Sequence, residues 1–360
     1  MERKRLIIII AIVVAALAAA TAIVFSVKNI IEGNVPEIVL TTNFDEDEIF
    51  RINTLGCKLA EAEIYMKTSE DKYSDAFGSE IWEKDLGNGT TLEEELKSTV
   101  LARLAQIKAM NLLAVSRGVE LDESEEAKAK EAAEQYLSGL SESDISTLGA
   151  DSELIEKMYS EYALANKVYL DITKNVNPEI SDDEARTISV EHILFKTYTV
   201  SADGSIRQFS DAEKESVYER AAAVEEKAQA GENFESLIEK YNEDTESTYT
   251  FGKGQMPESF EKAAFNLGTD EISDIVETEY GYHIIKCVST FDREETDNNK
   301  IRIVKERKKE AFNEVYDEFV AGLHSNLNNQ LWDSVEFSSD GNTEASGFFD
   351  VYNKVFGDSD

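Results

Sequence analysis

Histidine is scarce in this 360-residue sequence, and two of its three histidines lie in segments that predict strands of one small sheet. His192 lies in the β-rich run TISVEHILF at residues 187–195, and His283 lies in GYHIIK at residues 281–286. A lone histidine in a strand is usually structural. Two histidines on separate strands of one sheet are a better indication of a site, because imidazoles exchange protons and hydrogen bonds near neutral pH.

Further motifs accompany the two histidines in a fixed order. HILF at 192–195 is followed by GENFESLIEKYNED at 231–244, GKGQMPESFEKAAFNLG at 252–268 and DIVETEYGYHIIK at 274–286. This order resembles the parvulin-type peptidyl-prolyl cis-trans isomerases, nearly end to end over residues 187–290. The pattern GQM-x-x-x-F-E-x-A-A-F followed by GYHII is the most specific part of the resemblance.

The resemblance implies roles for eight residues. The implied catalytic network consists of two central histidines, an acid and a hydroxyl residue: His192, His283, Asp244 and Thr278. The implied substrate site consists of two residues that form the proline pocket, Met256 and Phe260, and two at its rim, Phe251 and Gln255.

The chemistry of X-Pro isomerisation is compatible with these residue types. The bond rotates over a barrier of about 18–20 kcal/mol, and its two isomers are close in energy. No bond is made or broken, so the reaction requires neither a cofactor nor a nucleophile. Met256 and Phe260 can supply an apolar cup for the pyrrolidine ring. Asp244 can help to favour the twisted amide over the planar one.

One segment departs from the parvulin pattern. Between the aspartate and the methionine, parvulins usually carry a glycine-rich segment, whereas TESTYTFGKGQ at 245–255 is several residues shorter. We interpret it as a trimmed loop over the pocket. This loop leaves a second hypothesis open, a non-catalytic holdase chaperone in which the parvulin domain is structural or only binds peptide. We prefer the active isomerase.

Two other specificities are not expected. The loop at 196–208 has no arginine pair, which argues against a preference for phosphoserine-proline. A metal site at His192, Asp244 and His283 is not expected, because parvulins hold these residues in a hydrogen-bond network and no further ligand is evident.

The local patterns predict an α+β domain in the order β-α-α-α-β-β. The predicted elements are a strand at 187–195, helices at 210–230, 233–241 and 257–268, and strands at 275–278 and 283–288. Asn177-Pro178 marks the start of this domain, which we place at 177–296.

The flanking segments predict a second, mainly helical domain. Amphipathic helices within 29–176, one of them opened by the capping box of Thr91 and Glu94, resemble the helical chaperone domain of PrsA- and SurA-type foldases. We expect one helix from about 299 to 332, within a C-terminal segment 297–336 that returns to this domain. The parvulin domain would then be inserted between its parts. We expect residues 337–360 to form an acidic, flexible tail.

The N-terminus predicts a membrane anchor. Residues 1–28 combine Arg3, Lys4 and Arg5 with an apolar run at 6–27, which would cover about 33 Å as a helix. The basic flank places the N-terminus in the cytoplasm and the remaining domains outside. A cleaved signal peptide is the alternative. The expected partners are unfolded or partly folded exported proteins with X-Pro bonds, and the membrane itself.

Net charge excludes one class of partner. With 36 basic and 73 acidic residues, the chain has a formal charge of −37 and repels phosphate backbones, so nucleic-acid binding is not expected. Its two cysteines, Cys57 and Cys287, are too few for a disulfide framework.

Overall fold

The computed structural model describes residues 44–87, 89–201, 205–335 and 347–357 of the chain. These residues form two compact units. Unit 1 contains the described residues up to Asn175 and those from Ala311 onward, and unit 2 is Val176–Glu310. The second boundary lies inside a helix, about fourteen residues beyond the position 296 that the sequence suggested.

Unit 1 consists of helices around a small antiparallel sheet. Its first part contains β1 (Glu48–Ile52), β2 (Leu55–Lys58), α1 (Leu59–Phe77), a 3-10 turn (Ser79–Ile81), α2 (Leu92–Arg117), α3 (Glu123–Gly139), α4 (Glu142–Leu148) and α5 (Ser152–Thr173). The predicted capping box is confirmed, since Thr91 Oγ1 accepts from the Glu94 amide and the Glu94 carboxylate accepts from the Thr91 amide.

The polar composition and the glycines of segment 69–90 predict a loop, but the first part of this segment is helical. α1 continues to Phe77, where Gly78 ends it with a φ of 85°. The sequence TSEDKYSDAF is polar but contains good helix formers, and polarity alone does not separate a helix with a solvated face from a loop.

Unit 2 is the α+β domain that the motifs predicted. Its elements are α6 (Asp182–Ala185), β3 (Thr187–Lys196), β4 (Tyr198–Val200), β5 (Ile206–Gln208), α7 (Asp211–Gln229), α8 (Phe234–Tyr241), β6 (Thr248–Gly252), α9 (Glu258–Asn266), β7 (Val276–Thr278) and β8 (Gly281–Ser289). Four strands form an antiparallel sheet in the order β6-β3-β8-β7, and β4 and β5 form a separate hairpin.

Helices cover both faces of the four-stranded sheet. On one face, Ile193, Phe195 and Ile284 pack with the buried side chains of α7 and α8. On the other face, Val190 and Ile285 pack with residues of α9. Period-two alternation along β3 therefore supplies apolar residues to two cores, which explains why this strand is buried on both sides.

The shortened segment 245–255 is not simply a loop. Residues Thr248–Gly252 form the edge strand β6, which pairs with β3 from Thr187 opposite Gly252 to Glu191 opposite Thr248. The run TYTF is rich in threonine and aromatic residues, which is a strand signal. The interpretation as a trimmed loop overlooked it.

The single long helix expected at 299–332 is wrong. α10 runs from Arg293 to Val320, β9 (Ser325–Leu327) then pairs with β1, and α11 (Asn329–Asp333) follows. Apolar residues at helical spacing beyond Val320 still face the core of unit 1, but the free edge of β1 binds this segment as a strand.

The expected flexible tail at 337–360 is also wrong in part. Residues Phe348–Phe356 form helix α12, and Phe348, Val351 and Tyr352 are buried in the core of unit 1. The amphipathic run FFDVYNKVF has a wide apolar face, which burial against unit 1 stabilises as a helix.

The proposed anchor at 6–27 lies outside the described residues. Among the residues that are described, no helix is long and apolar enough to span a bilayer.

Candidate active site

Strands β3 and β8 bring the two histidines together on one face of the sheet. In their register His192 is opposite Ile285 and Leu194 is opposite His283. Opposed residues share a face, as do alternate residues along a strand, so the histidines are diagonal neighbours. Their Nδ1 atoms are 3.2 Å apart, and the residues are only 1% and 5% exposed.

The two histidines belong to a chain of hydrogen bonds from Thr278 through His283 and His192 to the Glu246 carbonyl, which we call the relay. The partners at its two ends fix which nitrogen atoms carry protons. His192 Nε2 lies 3.2 Å from the carbonyl oxygen of Glu246, which can only accept, so this nitrogen carries the proton. His192 Nδ1 must then accept from His283 Nδ1. His283 Nε2 in turn accepts from the hydroxyl of Thr278, 2.8 Å away. Both imidazoles are neutral in this arrangement.

Burial supports the neutral state of both rings. It lowers the pKa of His192, although the nearby Asp244 carboxylate acts in the opposite direction. The pKa of His283 falls to about 3 because the ring is buried and because protonation of His192 would repel it. Neither histidine is suited to act as a cation at neutral pH.

A tight turn positions Thr278 for this relay. Thr278 is opposite Gly281 at the end of the β7–β8 hairpin, and its hydroxyl oxygen accepts from the Tyr280 amide at 3.1 Å. Gly281 has a φ of 140°, and a Cβ there would lie 2.1 Å from the Phe195 carbonyl oxygen. Only glycine permits this approach of β8 to the end of β3.

Asp244 lies at the open end of the relay. Its Oδ2 is 3.4 Å from His192 Nε2, and its side chain is 24% exposed. The connection between α8 and β6 holds it there, because Asn242 Oδ1 accepts from the amides of Leu194 and Asp244. The site therefore presents one partly solvated carboxylate beside two buried neutral rings.

Tyr249 belongs to the site and was not identified from the sequence. Its hydroxyl donates to Asp244 Oδ2 at 3.0 Å. Burial and this hydrogen bond raise the pKa of Tyr249 to about 12, so it remains a donor throughout the physiological range. Its position on β6, two residues from Phe251, was the available signal.

Of the two residues assigned to the proline pocket, Phe260 lies against the histidines. Phe260 on α9 is 2% exposed, and its ring meets the rings of His192 and His283 edge-on, with centroids 5.7 and 5.1 Å apart. Met256 is half-buried in the same cluster. A ring that lines the proline pocket is expected to be partly exposed, and the 2% exposure of Phe260 shows that this expectation is wrong.

The two residues assigned to the pocket rim have other contacts. Phe251 is buried on β6, with its ring centroid 5.9 Å from that of Phe260, so it belongs to the core and not to a rim. Gln255 is exposed, and its amide oxygen accepts from the Gly252 amide at 3.1 Å. Within the described part of the chain, no cluster of three or more His, Cys, Asp or Glu residues could hold a metal ion.

Unit 2 should lose stability in acid because of its buried histidines. The folded state keeps the pKa of His283 at about 3, whereas the unfolded chain binds a proton near 6.5. Between these values the unfolded state binds more protons, so stability falls as the pH falls. His283→Gln should reduce the change of the unfolding free energy with pH by up to about 1.4 kcal/mol per pH unit. Hydrogen exchange of β3 and β8 amides at pH 7 and pH 5 measures this pH dependence. The same pH dependence in the parent and in His283→Gln would contradict the account.

Comparison with known proteins identifies the domain. Residues 192–289 match the Rotamase family, the PPIC-type PPIASE domain. Residues 192–289 are therefore a parvulin-type peptidyl-prolyl isomerase domain. The strands that carry both histidines and the helix that carries Phe260 all fall within the parvulin domain or overlap it.

The similarity extends beyond the parvulin domain. Foldase protein PrsA of Caldanaerobacter subterraneus subsp. tengcongensis is 26% identical over 254 residues, 68% of this chain and 74% of that protein. Foldase protein PrsA of Bacillus subtilis is 32% identical over 168 residues, 44% of this chain and 53% of that protein. The chain thus spans about three quarters of one relative and about half of the other.

One solved structure is similar to part of this chain. The crystal structure of the peptidylprolyl isomerase PrsA from Bacillus anthracis matches 61% of this chain and 93% of its own at 21% identity, with a TM-score of 0.33. The sequence matches, and not this superposition, show a parvulin domain in a chain that is similar to PrsA foldases. They favour an isomerase over the non-catalytic holdase.

Proposed function

We propose that this chain isomerises X-Pro bonds in exported proteins, and that the site around His192, His283 and Asp244 catalyses the rotation. One observation carries the proposal: the partly exposed carboxylate of Asp244 lies 3.4 Å from His192 Nε2, at one end of a buried, directed chain of hydrogen bonds, beside an apolar cluster that contains Met256 and Phe260. Such a site has no nucleophile poised for attack, and bond rotation does not need one.

Asp244 can lower the barrier without covalent chemistry. A planar amide places partial negative charge on its carbonyl oxygen, and twisting about the C–N bond reduces that charge. A carboxylate near this oxygen therefore destabilises the planar ground state more than the twisted transition state. The Tyr249 hydroxyl and the Thr245 amide hold the carboxylate in place. Met256 and Phe260 would bind the pyrrolidine ring, and Thr278 and the histidines would keep the site rigid.

The proposed location is the outer face of the cell membrane. The basic residues before the apolar run at 6–27 favour a cytoplasmic N-terminus, with both units outside the cell. The clients would be secreted chains that emerge unfolded. Slow X-Pro isomerisation would limit the rate at which these chains fold.

Peptide kinetics test the proposed activity and its specificity. The chain should accelerate exchange of short peptides with a neutral residue before proline, and phosphoserine at that position should give no advantage. The only arginine in the loop at 196–208 is Arg207, whose guanidinium already binds Glu213 at 3.2 and 3.3 Å. Isomer exchange by NMR measures the rates. The absence of any acceleration would overturn the proposed activity, and a clear preference for phosphoserine would overturn the specificity.

A further inference from the structure

Helix α12 lies in a groove of unit 1 that is lined by tyrosines. Its first residue, Phe348, is fully buried, and the Phe348 ring stacks on that of Tyr159 with centroids 4.1 Å apart and planes 3° apart. Tyr65 and Tyr136 flank the same ring, with centroids at 5.1 and 5.9 Å. These three tyrosines form a slot for one aromatic side chain.

The slot also binds the backbone of its occupant. The Tyr159 hydroxyl donates to the carbonyl oxygen of Phe348 at 3.0 Å, and Thr68 Oγ1 accepts from the Phe348 amide at 3.3 Å. Both bonds are made to main-chain atoms, so they would form with another aromatic residue that entered at this position.

Further along α12, the groove contacts a second pair of rings. Tyr352 meets Tyr162 edge-on with centroids 4.6 Å apart, and its hydroxyl accepts from Asn166 Nδ2 at 2.9 Å. The guanidinium of Arg103 lies 4.3 Å from the ring centroid of Phe349. The groove therefore recognises aromatic rings by stacking, by hydrogen bonds and by a cation over a ring face.

Two features would allow α12 to leave the groove. It has nine residues, and a helix of that length is marginal in water, so α12 depends on the groove for its structure. The sequence that joins it to α11 is EFSSDGNTEAS at 336–346, which has the polar, serine- and glycine-containing composition of a linker.

We propose that this groove binds aromatic segments of unfolded proteins, and that α12 is its internal competitor. The proposal rests on the proposed foldase function, which supplies unfolded chains as ligands. A tethered segment acts at an effective concentration of the order of millimolar. α12 would cover the tyrosines when no client is bound, and a client segment with better-placed aromatic rings would displace it.

A reversible cross-link can hold α12 in the groove. A Cβ at Gly347 would lie 2.8 Å from Thr68 Cγ2, close to the ~3 Å between a sulfur and the opposite Cβ in a disulfide. The variant Thr68→Cys/Gly347→Cys should therefore form a disulfide, and both native cysteines are buried. Failure of the two introduced cysteines to cross-link would contradict the docked position of α12.

The probe is a fluorescent peptide of residues 347–357, GFFDVYNKVFG, and the full chain is held in lipid nanodiscs. The reduced variant should bind this peptide at least tenfold more tightly than the oxidised variant, because only reduction lets α12 leave. A peptide with alanine in place of Phe348 is the matched control and should not bind. Equal binding to the oxidised and reduced forms would overturn the proposal.

A second variant weakens the occupant and leaves the groove intact. Phe348→Ala in the full chain should bind the wild-type peptide at least tenfold more tightly than the parent does. If the substitution destabilises unit 1, added peptide should restore its unfolding midpoint. A destabilised variant that neither binds the peptide nor recovers would show that Phe348 is an ordinary core residue. X-Pro isomerisation is measured on the same samples, so failure of the groove and failure of the enzyme are distinguishable.

Discussion

Replacing Lys108 by methionine should destabilise unit 1 by about 3–5 kcal/mol, because the buried Glu61 and the largely buried Glu161 would lose the buried cation between them. The Lys108 side chain is 1% exposed, and its Nζ lies 2.6 Å from both Glu61 Oε2 and Glu161 Oε2. Burial acts against the charged form of Lys108, but Glu161 and Glu61 outweigh it and raise the pKa of the ammonium. Burial raises the pKa of Glu161, which Lys108 partly offsets.

Lys157 provides the matched control for this substitution. It approaches the same two carboxylates at 3.4 and 3.6 Å, but its side chain is 45% exposed. Lys157→Met should therefore cost about 1 kcal/mol or less. The chain has two tryptophans, Trp82 and Trp332, both buried in unit 1, so their fluorescence during urea unfolding reports on this unit. Equal effects of the two substitutions would contradict the buried network.

Replacing Phe260 by alanine should cost unit 2 about 3–5 kcal/mol and abolish most isomerase activity. The ring is 2% exposed and packs edge-on against both histidines, so its removal leaves a cavity under the hydrogen-bond relay. Hydrogen exchange of β3 and β8 measures the stability, and NMR exchange of an X-Pro peptide measures the activity.

Two further variants separate a loss of substrate binding from a loss of stability. Phe265 lies on the same helix, is half-buried and contacts Phe251, with ring centroids 5.8 Å apart. Phe265→Ala should lose less stability than Phe260→Ala and keep its activity. Phe260→Leu retains most of the apolar volume, so it should fold and still lose more than tenfold in kcat/KM if the ring binds proline. Full activity in Phe260→Leu would show that the proline pocket lies elsewhere.

The elements of the site could be predicted from local sequence, but their contacts could not. The β-rich runs around His192 and His283 predicted two strands. That the two rings are diagonal neighbours depends on the register of β3 against β8, which pairing between distant segments sets. The role of Tyr249 depends on the same kind of information, because β6 reaches Asp244 only once it has joined the edge of the sheet.

Packing between distant segments explains the remaining differences between the predicted and the observed structure. Phe260 was expected at a pocket surface, but packing of α9 against the sheet leaves the residue only 2% exposed. The apolar spacing of Leu323, Leu327 and Leu331 is compatible with one helix, and only the free edge of β1 selects a strand at Ser325–Leu327. Helix α12 likewise depends on a tyrosine-lined groove, whose residues are far away in the sequence. The nine-residue amphipathic pattern of α12 cannot show by itself that such a groove exists.

The most direct test of the central claim is NMR exchange of a short X-Pro peptide with the parent chain and with Asp244→Ala. The carboxylate destabilises the bound planar amide more than the twisted transition state, so the variant should lose more than about tenfold in kcat while KM falls and does not rise. Hydrogen exchange of β3 and β8 checks that unit 2 remains folded. The same kcat in the parent and in a folded Asp244→Ala variant, or a parent that does not accelerate exchange, would contradict the assignment of this site as a prolyl isomerase.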